Sequence, residues 1–206
     1  MDILKKTHPN QVVISLILLL FLQACNSNHD YSPKPRGYFR IEFPKKEYRP
    51  YSGVCPFTFE YPKYAVIDTD RISRKPTKIL NMQSLLNMQF PQFKGTLHLS
   101  YESITSQKVF DELIEDAHTF AFKHTVKATS IDQGTIHYPD RKVYGIYYTI
   151  DGNAASSVQF FLTDSTHNYL RGALYFNTEP RLDSIQPVLT FVKQDVNVLI
   201  KSLRWK

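Results

Sequence analysis

The sequence predicts an α+β domain, an antiparallel sheet covered by helices, as a single domain behind a lipoprotein signal peptide. Three observations predict it. Short segments with period-2 alternation of apolar and polar residues recur through most of the chain. Two stretches switch to three- and four-residue spacing, as amphipathic helices require. The aromatic content, 13 Tyr and 14 Phe against one Trp, is spread over many segments, a bias that favours strands.

The first residues set the compartment. Lys5 and Lys6 form a positive n-region, and Val12–Leu22 is an apolar run broken only by Ser15. Eleven helical residues span about 17 Å, short of the ~30 Å hydrocarbon core of a bilayer, so the run has the length of a signal-peptide h-region. Leu22-Gln23-Ala24-Cys25 follows at once and resembles a bacterial lipobox, with a branched apolar residue three before the cysteine and a small one immediately before it. The competing reading is an ordinary secretory signal with a cysteine near its cleavage site. The lipobox reading makes residues 1–24 the signal peptide and Cys25 the lipidated residue, carrying diacylglycerol and palmitate. Two or three acyl chains hold a protein on a membrane where one does so only marginally, at roughly 0.8 kcal/mol per buried methylene. Residues 25–36, polar and containing Pro33 and Pro35, form the anchor and tether, and residues 37–206 the domain.

Removing residues 1–24 of 206 leaves 182, enough for one real core. The formal charge falls from +6 to +5 on loss of Lys5, Lys6 and Asp2. Both signs are interspersed, and no nucleic-acid footprint follows. Cys55 is the one cysteine of the domain and reads as a small buried hydrophobe.

Along the domain, Gly37–Pro50 alternates Tyr38, Arg40 and Glu42 with Phe39, Ile41 and Phe43, predicting an edge strand or extended arm. Strands are predicted at Cys55–Tyr61, Tyr64–Asp68, Asn87–Phe90 and Gly95–Ile104, with a basic surface loop over residues 69–81. In Gln107–His124 the residues Phe110, Leu113, Ile114, Ala117, Phe120 and Ala121 make one helical stripe, capped by Thr105 or Ser106. Strands follow at Thr135–Tyr138, Lys142–Ile150, Ala155–Thr163 and Tyr169–Asn177, with Asp151-Gly152-Asn153 as a hairpin turn. A second helix begins near Asp183 or Ser184, with Pro187 in its first turn. Its stripe runs from Ile185 to Leu203, and Ser202–Lys206 is a last turn or a short strand. This order is similar to that of the PsbP-type sandwich, a likeness of fold alone.

Chemistry is sparse. His118 and His124 are six apart on one helix, hence on different faces, and no HExxH or paired-cysteine spacing occurs, so neither a metal nor a cofactor is expected. Ser156, Ser157, Asp164 and His167 offer hydrolase residue types without a G-x-S-x-G elbow. Asp111 with Glu115 and Glu112 with Asp116 are four apart, a solvated acidic face more simply than an acid–base pair. An enzyme is disfavoured.

Several motifs in order nevertheless carry a resemblance. Lys34-Pro-Arg-Gly-Tyr-Phe-Arg-Ile41, Phe43-Pro44, Cys55-Pro-Phe-Thr-Phe-Glu-Tyr-Pro62 and Tyr144-Gly-Ile-Tyr-Tyr148 are similar to the gliding-motility lipoprotein GldD family. So are Gly152-Asn-Ala-Ala-Ser156, Gln159-Phe-Phe-Leu-Thr-Asp-Ser165 and Leu170-Arg-Gly-Ala-Leu-Tyr-Phe-Asn177. The resemblance implies an accessory lipoprotein required for gliding over surfaces and associated with the type IX secretion machinery; it brings no catalytic residues. Its implied partners are the membrane, through lipid on Cys25, and other envelope proteins of gliding and secretion. Arg36, Tyr38, Phe39 and Arg40 of the arm, with Asn153 and Arg171, are the candidate interaction residues, since Tyr and Arg are frequent interface anchors. The alternative role of the arm is to cover the core as an edge strand. The expected location is the cell envelope with the domain facing the periplasm, the outer membrane favoured over the inner. Two other functions stay open: a periplasmic carrier of an apolar ligand, and an envelope hydrolase.

Overall fold

The computed structural model describes residues 40–68, 84–177 and 182–206, which belong to one compact unit. Ten strands are described: β1 Tyr48–Tyr51, β2 Phe57–Pro62, β3 Val66–Asp68, β4 Ser84–Phe90, β5 Gly95–Ser103, β6 Ala128–Tyr138, β7 Val143–Gly152, β8 Ser156–Thr163, β9 Asn168–Phe176 and β10 Arg204–Trp205. Two α-helices join them, α1 at Gln107–Phe122 and α2 at Leu182–Ser202. Seven strands form one sheet in the order β3-β4-β5-β9-β8-β7-β6, and β1-β2-β10 form a small one. Every pairing is antiparallel. The domain is therefore α+β, as the alternating segments and two stripes predict.

The large sheet is the middle layer. One set of its side chains (Leu86, Met88, Leu97, Leu99, Phe160, Leu162, Leu170 and Leu174) packs with Leu189, Val192, Val196 and Leu199 of α2 and with Phe57 and Phe59 of the small sheet. The alternate set (Tyr148, Phe161 and Tyr169) packs under Leu113, Ala117 and Ala121 of α1. β8 is buried along its whole length because both of its faces are covered. The tip of the Phe160 ring reaches over Gly172 of β9, where a Cβ would come within 2.2 Å of its Cζ, so the absent side chain is what makes room for the ring.

Local chemistry explains the ends. Ser106 caps α1, its Oγ accepting from Val109 N at 3.3 Å. The helix closes at Phe122 and tightens into a 3-10 turn, Lys123–Val126. At the β7–β8 hairpin Gly152 has φ +97°, a conformation that glycine adopts without strain. Cys55 is buried and accepts from the Tyr51 hydroxyl at 3.5 Å, the small-hydrophobe role predicted for it.

Several elements differ from expectation or decide between two readings. Arg40–Glu47 takes the second of its two readings, an extended arm and no strand; pairing starts only at Tyr48. Side-chain contacts rather than a ladder hold this arm, and Ile41 and Phe43 stay 36% and 41% exposed. β6 begins at Ala128, seven residues before the predicted start, because its first half is mostly exposed, with Ile131 alone packed on the α1-side cluster, and has no apolar alternation to reveal it. Pro187 lies inside α2 beyond the first turn, on an exposed position where water can satisfy the carbonyl it leaves unpaired. The C-terminus is the short strand β10, paired with β2 through Arg204↔Thr58 and Trp205↔Phe57. The predicted basic loop over residues 69–81 lies outside the described residues.

Candidate interaction surface

The strongest site lies on the α1 side of the large sheet. Because alternate residues of a strand share a face, Arg171, Ala173 and Tyr175 of β9 stand beside Ser100 and His98 of β5 and Gln159 of β8. α1 roofs only part of this face. The Arg171 guanidinium sits 4.5 Å from the ring centroid of Phe120, a stacked cation–π contact. Its Nη2 donates to Gln159 Oε1 at 2.7 Å. Among the described residues no carboxylate lies within ion-pair distance of it. Burial lowers its pKa, opposed by Tyr169, Tyr175 and Asp116, yet a guanidinium stays charged.

Gln159 is buried at 2% exposure, and its Oε1 accepts from Arg171 while its Nε2 has no hydrogen-bond partner. An unpaired buried donor costs about 1–3 kcal/mol. Lys123 Nζ approaches the same Phe120 ring at 4.8 Å. Burial, and then the charge of Arg171, hold the His124 imidazole below its ordinary pKa. Farther along, Asn87 Oδ1 and His98 Nδ1 are hydrogen-bonded at 2.7 Å, and His98 meets Tyr175 edge-on at 5.6 Å. Burial and the nearby Asp116 raise the Glu102 carboxyl. The surface thus has a donor-rich end around Arg171, suited to an acceptor-bearing or anionic group.

On the opposite side, the arm is clasped to α2. Asp195, fully buried, takes Lys46 Nζ at 2.6 Å and the Tyr48 hydroxyl at 2.8 Å on Oδ1, and the Tyr64 hydroxyl on Oδ2. Lys46 Nζ also donates to Phe191 O at 2.7 Å and lies 3.5 Å over the Phe191 ring. Burial, with Asp195 adding to it, pushes both tyrosine pKa values up; burial lowers that of Lys46 against the pull of Asp195. Sequence reasoning missed this cluster. Its signal was an acid inside the apolar stripe of α2, between Val192 and Val196.

The predicted residues that are described are not assembled into one site. Cys25, Arg36, Tyr38 and Phe39 lie outside the described residues. Arg40 is exposed at the start of the arm, which packs on α2 through Phe43 and Phe191, 4.6 Å between ring centroids. Asn153 is exposed at the β7–β8 turn. Arg171 stands on the other side of the sheet. The hydrolase residues are likewise apart: Ser156 is buried and donates to Val158 O at 3.1 Å, while His167 is exposed. Asp164 is a turn-former. Burial pushes its carboxyl up, but hydrogen bonds from the backbone of Asn168, His167 and Thr166 and the Asn168 amide outweigh that and leave its pKa at about 2. No group of three or more metal-ligating side chains converges among the described residues.

The described residues thus form a three-layer α+β domain with a half-buried arginine on an open polar face of its large sheet. Residues 28–205 match the family described as Gliding motility lipoprotein GldD, and the chain belongs to that family. Members are gliding-motility lipoproteins, accessory to motility and associated with the envelope. Comparison with curated proteins gives no significant match.

Proposed function

We propose that the protein is a membrane-anchored accessory lipoprotein of gliding motility that works by holding a partner protein of the gliding and type IX secretion machinery. Residues 1–24 are the signal peptide, Cys25 carries the lipid, residues 25–36 are the tether and residues 37–206 the docking domain, facing the periplasm from the outer membrane. Family membership supports the motility role. The observation that carries the docking mode is Arg171, held on Phe120 and Gln159 without an acid of its own among the described residues. An interface arginine with free donors takes a carboxylate or carbonyl of the partner, and such anchors carry a large share of binding energy.

Affinity capture from solubilised envelopes tests the reading. Wild-type protein recovers a motility or secretion component, and Arg171→Glu loses it while remaining folded and lipidated; equal recovery by both refutes the assignment of Arg171. Labelling with a clickable palmitate tests the anchor separately, with Cys25→Ala expected to lose the label.

A further inference from the structure

The arm and the start of α2 enclose an apolar groove of about 230 Å³, lined by Ile41, Phe93, Phe176, Ile185 and Val188, with Lys94 and Gln92 at its rim. Ile41 and Phe43 are two of the five exposed large hydrophobics among the described residues; Val54, Val66 and Val126 lie singly on separate elements. Phe43 continues the groove by packing on Phe93 and Phe191. Isolated exposed apolar residues need no explanation, whereas a contiguous patch does.

We infer that this patch is the face the domain lays on an anionic phospholipid surface. The inference rests on lipidation at Cys25. Positions 25 and 40 are fifteen residues apart, at most about 50 Å of fully drawn-out chain, and the patch begins at the next residue, Ile41. The bilayer is thus presented to this part of the molecule at high effective concentration. The rim has the matching charge. Arg40 and Lys94 are exposed and make no ion pair among the described residues. Lys45 and Lys63 share Glu47, at 2.9 and 3.0 Å. Among the described side chains here Glu42 and Glu47 are the acids, so the cations are in excess. Exposed apolar side chains ringed by Lys and Arg are what a headgroup interface accepts, the rings and aliphatic tips entering it and the cations meeting phosphate. The face around Arg171 stays available to a protein partner, because it lies across the sheet.

The test uses the full lipidated chain in mixed phosphatidylethanolamine–phosphatidylglycerol vesicles whose acyl chains carry bromine. Phe43→Trp and Ile41→Trp each put an indole in the patch, and Val126→Trp, 87% exposed on the turn after α1, puts one elsewhere. Emission from Trp205, measured in the unsubstituted protein, is subtracted. The two patch probes shift to the blue and lose about half their emission to brominated lipid, while the Val126→Trp protein does neither. Arg40→Glu combined with Lys94→Glu weakens that quenching. Protein that floats with the vesicles but leaves both patch probes unquenched overturns the inference and spares the anchor. Protein that does not float overturns both. Using two patch probes keeps the result readable if one variant misfolds.

Discussion

The two faces of the large sheet are built to different ends. On the α2 side, twenty-six buried residues form one continuous core, against six on the α1 side among the described residues. The one buried acid on the α2 side among the described residues, Asp195, has three donors and is itself sealed from solvent. On the α1 side a guanidinium and a buried amide keep donors in reserve. A polar group fully satisfied within its own fold stabilises that fold. One left incomplete is a cost that binding can recover. The α2 side therefore holds most of the core, and the α1 side holds the spare donors on which the proposed docking rests.

Adjacent residues of β8 sharpen this contrast most. Phe160 points to the α2 core and Phe161 to the α1 cluster, where it stacks on Tyr169 at 5.7 Å. Phe160→Ala leaves a void above Gly172 in the larger core and is expected to cost about 4 kcal/mol, and Phe161→Ala about 3 kcal/mol. Urea unfolding of both reads the difference. Equal losses would remove the distinction between a structural and a lightly covered face.

The clasp comes next. Asp195→Ala strands Lys46 and two tyrosine hydroxyls, an expected loss of about 3 kcal/mol. The figure sits at the low end for a buried pair because Lys46 is 24% exposed. Removing the lysine as well, Lys46→Met with Asp195→Leu, recovers the share of that loss due to the unpaired ammonium and leaves the Tyr48 and Tyr64 hydroxyls unpaired. If the double variant is as unstable as Asp195→Ala, the cluster serves more than mutual satisfaction.

A smaller effect depends on pH. The Asp164 carboxyl is depressed to about 2 in the fold. A depressed carboxylate adds stability that is present above its unfolded pKa and lost as pH falls through the folded one. The window is therefore from about pH 4 to about pH 2, and the contribution, discounted for partial exposure, is about 1–2 kcal/mol. Thermal melts between those pH values should show Asp164→Asn flattening the acid limb. An unchanged limb would mean that the turn at Asp164–Asn168 does not carry the charge-dependent stability.

Much of the fold was legible because local pattern and tertiary role agree. The α1 stripe, the Ser106 cap and the alternation in β2 and β5 all state a buried face. Elements whose position depends on distant residues were not legible. Arg40–Glu47 alternates like a strand, yet Phe43 and Lys46 are held by Phe191 and Asp195 of α2, so its conformation is set by side-chain contacts. The first half of β6 is held by its ladder with β7 and by Ile131 against the α1-side cluster, a lone apolar contact with no alternation to announce it. Arg171 could be chosen as an interface residue type, but its lack of an acid depends on which residues β5, β8 and α1 bring beside it. The six positions expected to act in binding span both sides of the sheet and the undescribed segment, because sequence order says nothing about which face a long-range pairing assigns.

Arg171 gives the smallest expected change in stability and the most specific one in binding. Arg171→Ala removes one hydrogen bond and one cation–π contact at a half-exposed site, so a loss of about 1 kcal/mol is expected. Partner capture should fall far more, since the variant deletes the only guanidinium on that face among the described residues. Arg171→Lys keeps the charge but loses the planar fork and the stacking on Phe120, and should recover little. Gln159→Glu is the sharper variant. It gives Arg171 an acid within the fold, so the guanidinium is satisfied internally while its position is retained. If the partner supplies a carboxylate, Gln159→Glu competes with it and capture falls without loss of the folded protein; undiminished capture would show that the partner meets this face without using the donors of Arg171.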